Sequence, residues 1–216
     1  MNKKVIAFSI WGEKQIYNVG AVRNADLALE IYEGWECWFY VGQSTPQKTI
    51  DELSKRKNCR VVIQPEQGDW SGMFWRFYPA SDPNVEVMVS RDADSRLSTR
   101  EFLAVKEWEQ SNKSFHIMRD HPHHQTEILG GMWGCKSPIL KNMKKLINEY
   151  AKGEFWQVDQ NFLREKIYPL IKNDAIVHDD FFAKKPFPKR REPNRFVGQA
   201  FDEYDDLLNP EHANYI

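Results

Sequence analysis

What this chain has little of narrows it first. Cysteine occurs only at Cys37, Cys59 and Cys135. An odd number set far apart offers neither paired zinc spacing nor a disulfide framework, and it favours a reducing compartment, hence a cytoplasmic location. No apolar run is long enough to cross a bilayer, which limits any membrane association to the periphery. The opening stretch carries Lys3 and Lys4 and then a short apolar run to Ile10 with no small-residue cleavage site, so it reads as a first strand. A surplus of one charge is missing as well. The net charge of -1 gives no bulk electrostatic case for a nucleic-acid partner. With 41% hydrophobic and 28% charged residues the chain is not disordered, and 216 residues suit one domain with a substantial core.

Aromatics are plentiful. Eight tryptophans and 13% aromatic content suit stacking surfaces for bases or sugars as well as core filling. Taken in order, Val5 to Ile10 is a buried strand. A loop then opens at Trp11-Gly12 and contains Tyr17, Asn18 and Gly20, which either holds a base or phosphate or is ordinary turn chemistry. A helix from Ala21 to Glu33 stops at Gly34, a strand covers Glu36 to Val41, a helix runs from Thr45 to Lys57, and Val61 to Ile63 is a third strand. This is the rhythm of a parallel α/β sheet with helices on its faces. An aromatic helix follows, ended by Pro79, and its Arg76 needs a partner: a carboxylate or a substrate phosphate.

The chain is organised around the next segment. Val85, Val87 and Val89 alternate with Glu86, Met88 and Ser90 as a short buried strand, and polarity then changes abruptly at Arg91-Asp92-Ala93-Asp94. Ligand sites of open α/β sheets lie beyond the carboxyl ends of strands, and two carboxylates one residue apart can turn toward a common point there. Hard cations such as Mg²⁺ or Mn²⁺ take one or two such carboxylates and leave other positions to water and phosphates. The alternative is a solvated turn.

Beyond it, Ser98 with Glu101 caps a helix from Thr99 to Gln110, and Phe115 to Met118 is a strand. Arg119 to His124 is histidine-rich. It lacks the separated ligand pairs of zinc sites, so Asp120 and His121 are read as a polar pocket lip contacting sugar hydroxyls. Gly130 and Gly131 lie in an apolar segment from Glu127 to Cys135, read as a strand that includes Trp133. They mark either close approach of a substrate or a bulge. Pro138 to Tyr150 is an amphipathic structural helix. A helix from Phe155 to Arg164 presents Asp159 and Gln160, as general base and acceptor contact or as a cap. Ala175 to Phe182 is a last strand with His178 as a third metal ligand. The basic loop from Lys184 to Arg191 is either a solvated face or a lid over a diphosphate. An acidic tail of partial mobility starts at Phe201.

The segments Met73 to Phe77, Val89 to Ser95, Met118 to Pro122, Gly130 to Gly134, Val158 to Gln160 and Phe196 to Gln199 together resemble small GT-A-fold glycosyltransferases. They are most similar to the domain that builds capsid glycans in large algal viruses, and to bacterial polysaccharide-synthesis relatives. The likeness runs over nearly the whole chain. It implies a single GT-A-like, Rossmann-related domain over 1–216 with a mixed, mostly parallel central sheet flanked by helices. Residues 1–97 form its nucleotide-binding half, 98–200 its acceptor-binding half, and 201–216 the tail. It implies a metal-dependent hexosyl- or deoxyhexosyltransferase that takes a nucleotide-sugar donor, most often a UDP-sugar, and a glycan or glycoconjugate acceptor. If the source is viral, the location is the host cytoplasm.

Residue by residue, the resemblance puts Asp94 on Mn²⁺ or Mg²⁺, with Asp92 on the metal or the donor ribose, and sets His178 near them. Asp159 falls where many inverting members place a base and where retaining members orient the sugar, so either stereochemistry stays open, with Asp120 a second catalytic candidate. Ser9, Trp11, Tyr17, Arg76, Arg91, Lys184 and Arg191 are donor-side candidates, and His121, Gly130, Gly131, Trp133 and Gln160 line the sugar or acceptor pocket. Two rivals stand beside this reading. A sugar-nucleotidyltransferase would be expected to carry a glycine-rich phosphate loop after the first strand, where Ser9 to Glu13 has one glycine. A non-catalytic carbohydrate-binding module would bind glycans regardless of UDP and metal.

Overall fold

The computed structural model describes residues 3–150 and 155–216. Seven strands form one sheet: β1 (Lys3–Ile10), β2 (Glu36–Val41), β3 (Cys59–Ile63), β4 (Val85–Ser90), β5 (Phe115–Arg119), β6 (Trp133–Lys136) and β7 (Ala175–Asp179). Their order is β3-β2-β1-β4-β6-β5-β7. Neighbours are parallel except at β6, which runs antiparallel to both β4 and β5. The expected mixed, mostly parallel sheet flanked by helices is therefore present.

The apolar pattern explains the layering. Ile6 and Phe8 of β1 join one buried cluster with Phe39, Val87, Val89 and the alanines of helix α1 (Gln15–Ile31). Val5 and Ala7 join the other, with Trp38, Met88, Phe77, Trp133 and Phe162. A strand covered on both faces reads as a nearly continuous apolar run, as β1 does. Each fully buried ring in these layers, Phe8 stacked on Phe39 for example, contributes roughly 1.5–3 kcal/mol.

The remaining helices are α2 (Gln47–Ser54), α3 (Thr99–Gln110), α4 (Met143–Glu149), α5 (Val158–Phe162) and α6 (Tyr168–Ile171), with a π turn over Leu163–Ile167 joining the last two. Ser98 caps α3 as expected, its hydroxyl accepting from the Glu101 N–H at 3.3 Å. Four local expectations need correction. Helix α1 starts at Gln15, so Tyr17, Asn18 and Gly20 are helical and not in a loop; the Asn18 side chain donates to the Gly12 and Lys14 carbonyls at 3.0 and 2.9 Å and steadies that start. The aromatic helix, Trp70–Ser81, is a 3-10 helix that runs through Pro79. Helix α4 begins only after Asn142, whose φ of 65° interrupts the expected amphipathic run. The strand expected over 127–135 shrinks to β6, leaving Gly130 and Gly131 in the loop before it.

The tail is tied down through specific bonds. Asp205 pairs with Arg23 and Arg96, and the Phe201 N–H donates to the Asp94 carbonyl at 2.8 Å. No helix among the described residues is long and apolar enough to cross a membrane.

Candidate active site

A cleft of about 580 Å³ opens beyond the carboxyl ends of β1 and β4, within the range of small-molecule sites. Its first wall is Ser9 to Gly12, Lys14 and Tyr17 at the start of α1, and Asp92 to Asp94. Its second comprises Leu129, Gly130 and Met132 ahead of β6, with Trp156, Gln157, Asp159 and Gln160 around the start of α5. Trp70, Met73 and Arg76 of the 3-10 helix also line it.

The two carboxylates after β4 sit on a braced turn. The Ser95 N–H and hydroxyl both donate to the Asp92 carbonyl, at 3.3 and 2.8 Å. From α1, buried Asn24 donates to the carbonyls of Ala93 and Ser95 at 3.2 and 2.8 Å and accepts from the Leu97 N–H at 3.0 Å. Helix and turn are pressed so close that a Cβ on Gly20 would lie 2.1 Å from the Ala93 carbonyl oxygen. Only glycine allows that approach.

Arg76 answers the question its sequence position raised. One arm of its buried guanidinium pairs with Asp92 and the other donates to Asp159 Oδ2 at 2.8 Å. Burial works against its charge, and the two carboxylates outweigh that effect. Its backbone N–H donates to Ser9 Oγ at 3.0 Å, which locks the helix to β1. The glycine pair makes room for this arrangement. A Cβ on Gly131 would stand 2.0 Å from Asp92 Oδ2, and one on Gly130 would stand 2.4 Å from Asp159 Oδ2 and 2.5 Å from Arg76 Nη2. The close approach inferred from these glycines is therefore to side chains of the site itself, and no bulge is involved.

Asp94 differs from its neighbours. Among the described residues it forms no ion pair, and burial, reinforced by the adjacent Asp92 charge, pushes its carboxyl up to about 6. Asp159 is raised too, by burial first, although Arg76 opposes the shift. The phenol of Tyr17 is raised by burial and then by Asp94 and Asp92, which places that ring beside the acidic pair. His124, also on the cleft, is held down to about 3, mainly by burial and then by His121, and so is neutral.

The donor chemistry fits a hard divalent cation. Asp92 remains 40% exposed toward the cleft, and Asp94 is an unbridged carboxylate with a raised proton affinity beside a second negative charge. A cation that takes two carboxylate oxygens and fills its other positions from water and phosphate suits that pair. Among the described residues no group of three or more His, Cys, Asp or Glu side chains is placed to hold a metal.

Ser9, Trp11, Tyr17, Arg76, Asp92, Asp94, Gly130, Asp159 and Gln160 thus line one cavity, with Gly131 packed behind it. Seven other expected residues lie elsewhere. Arg91 is buried under α3, donating to Glu101 at 2.9 Å and to the Ser90 carbonyl at 2.7 Å. Trp133 points into the core against Phe77, ring centroids 5.5 Å apart. His178 faces His116 at 2.8 Å and Glu107 at 3.6 Å, so it is no third ligand beside the aspartates. Asp120 is fully buried between Arg100 and Arg191, at 2.7 and 2.6 Å, which removes it as a proton acceptor and commits Arg191 to structure. His121 lines an adjoining cavity of about 160 Å³ with His123, His212 and Phe196, which meets the cleft only at a wall of His124, Gly198 and Ala200. Lys184, exposed at a φ of 50°, does not reach the cleft. Lys14, Asn24, Asp69, Trp70 and Trp156 were missed. Of these, Asn24 had a signal: an amide between alanines on an apolar helix face needs a buried partner.

No family model and no curated protein matches the sequence. Solved structures do. A glycosyltransferase involved in the glycosylation of the major capsid of the virus PBCV-1 superposes with a TM-score of 0.58 at 15% identity, covering 99% of this chain and 100% of that one. Glucosyl-3-phosphoglycerate synthase from Mycobacterium tuberculosis, in complex with Mn²⁺, UDP and glucosyl-3-phosphoglycerate, gives 0.53 at 13% identity, covering 89% of this chain and 73% of that one. The same enzyme with Mg²⁺ and UDP gives 0.52 at 12% identity, with coverage of 89% and 73%. With its mixed, mostly parallel sheet, and superposable over nearly its whole length on one of these enzymes, this chain has the GT-A fold of nucleotide-sugar glycosyltransferases.

Proposed function

We propose that this protein moves a sugar from a nucleotide-sugar donor, a UDP-sugar, to a glycan or glycoconjugate acceptor, with Mn²⁺ or Mg²⁺ held by Asp92 and Asp94. One observation carries the reading: a carboxylate pair at the carboxyl end of β4, one member unbridged, opens onto a cleft whose second wall brings Asp159 to the same guanidinium. The Mn²⁺- and UDP-bound structures of a similarly folded enzyme support it.

The cation would offset the charge that grows on the leaving diphosphate. The rest falls to the chain's own side chains. Lys14 is the cleft's cation that no ion pair engages among the described residues, and it meets the diphosphate. Trp11 and Tyr17 offer ring faces to the donor base. Arg76 fixes the orientation of Asp92. Asp159 has both oxygens engaged, Oδ2 by Arg76 and Oδ1 by the Gln160 N–H at 2.9 Å, so in this state it holds Arg76 in place, and Gln160 faces the acceptor. The braced turn keeps the carboxylates oriented before any ligand arrives, which lowers the cost of reorganisation.

Calorimetry of UDP binding with and without Mn²⁺, together with hydrolysis of a UDP-sugar panel, tests this. Asp94→Asn should abolish the Mn²⁺ enhancement and reduce turnover on the order of 10³-fold, with a melting temperature no lower than that of the parent. A fully active variant, or UDP binding indifferent to Mn²⁺, would remove the idea.

A further inference from the structure

The electrostatics of the cleft select the acceptor. Asp69, Asp92, Asp94 and Asp159 face it, against Lys14 and Arg76 as its basic side chains among the described residues. Arg76 is already engaged by two of those aspartates. A divalent cation would cancel the acidic excess, and a diphosphate donor would then restore the negative sign. A second anion entering this cleft would therefore meet like charge, and among the described residues no free guanidinium or ammonium lines the β6 side to receive it. That side offers amides and an aromatic ring. Gln157 and Gln160 flank Asp159, and Trp156 is 68% exposed on the cleft, beside the 45% exposed Phe155. An indole left uncovered next to amide groups, just before a helix whose own ring, Phe162, is buried, has the chemistry of a platform for a polyhydroxylated ring.

Building on the transferase reading, we propose that the acceptor is an uncharged sugar unit of a glycan, its apolar face laid on Trp156 and its hydroxyls bonded by Gln157 and Gln160. Phosphorylated and uronic-acid acceptors are rejected by the acidic cleft.

The test uses the full chain with Mn²⁺ and UDP on an array of neutral, uronic-acid-bearing, sialylated and phosphorylated glycans, with 3-phosphoglycerate as a soluble competitor. Binding should be confined to neutral glycans and be unaffected by 3-phosphoglycerate. Trp156→Ala should weaken it roughly tenfold or more, and Trp156→Phe should recover most of it. The affinity for UDP and Mn²⁺ should stay unchanged in both variants, a split that general misfolding does not produce. Binding of UDP and Mn²⁺ combined with retention of charged glycans, with no glycan bound, or with a Trp156→Ala variant that binds like the parent overturns this inference alone. Failure of the parent protein to bind UDP overturns the transferase reading and this inference with it.

Discussion

Two clusters of aspartate and arginine stand at the carboxyl end of this sheet. The first is Arg76 with Asp92 and Asp159, and Asp94 beside it. The second is Asp120 and Asp180 with Arg100 and Arg191. In the second, each oxygen of Asp120 is satisfied: Oδ1 accepts from Arg100 and Arg191, and Oδ2 from Arg100 and the Val197 N–H. Arg100 also lies over the Phe187 ring at 4.1 Å. The first cluster ends in a carboxylate that no cation bridges, and it opens onto a cleft. Both are made of the same side chains. The difference lies in completeness: a closed network spends its charge on cohesion, and an open one keeps charge for a ligand.

Substitutions at the two clusters should sort accordingly. The largest effect is the loss of turnover in Asp94→Asn without thermal destabilisation, set against Asp120→Ala. The latter removes the fully buried partner of two guanidinium groups and leaves both to Asp180 alone, which should cost about 3–5 kcal/mol in urea unfolding, while the protein that remains folded still binds UDP. If Asp120→Ala unfolds no earlier than the parent, the closed network is not structural. Next comes Gly131→Ala. Its new methyl must displace Asp92, so turnover should fall about 10²-fold with a smaller change in melting temperature. Wild-type rates in this variant would show that Asp92 need not hold its present position.

The smallest effect is on pH dependence. Burial and Asp92 raise Asp94 to about 6, above its unfolded value of about 3.9. The folded state therefore holds the extra proton between these values, so this group's contribution to stability is present below about pH 4 and is lost as pH rises through about 6. Melting temperatures of the metal-free protein and of Asp94→Asn, compared from pH 4 to 7, should diverge in that direction. Parallel curves would place Asp94 in a solvated environment like that of any surface carboxylate.

Much of this was legible in the sequence, for identifiable reasons. Valines at period two and an abrupt polarity change located β4 and its aspartates, because alternation and its loss report directly on a buried strand and its end. Arg76 announced its need of a carboxylate, since a charge in an apolar helix must be paired. Gly130 and Gly131 announced a close approach but not to what. Trp133, Arg91 and His178 misled because alternation shows that a strand has two faces without showing which face meets the cleft. Asp120 and Arg191 misled because their partners, Arg100 and Asp180, are 20 and 11 positions away in sequence, and pairing over such spans is set by tertiary packing. Tyr17 lay on a helix whose start depends on the Asn18 amide bridging back to Gly12, a bond invisible to propensity.

The reversal of β6 has a topological consequence. Because it runs against β4, Trp133 at its beginning is registered beside Ser90 at the end of β4, so the chain entering β6 passes the spot where the chain leaving β4 departs. In a wholly parallel arrangement those two segments would sit on opposite rims of the sheet, too far apart for Gly131 to pack against Asp92 or for Ser90 Oγ to donate to the Gly130 carbonyl, as it does at 2.7 Å. A single backward strand thus brings incoming and outgoing backbone together at the rim where the cleft opens.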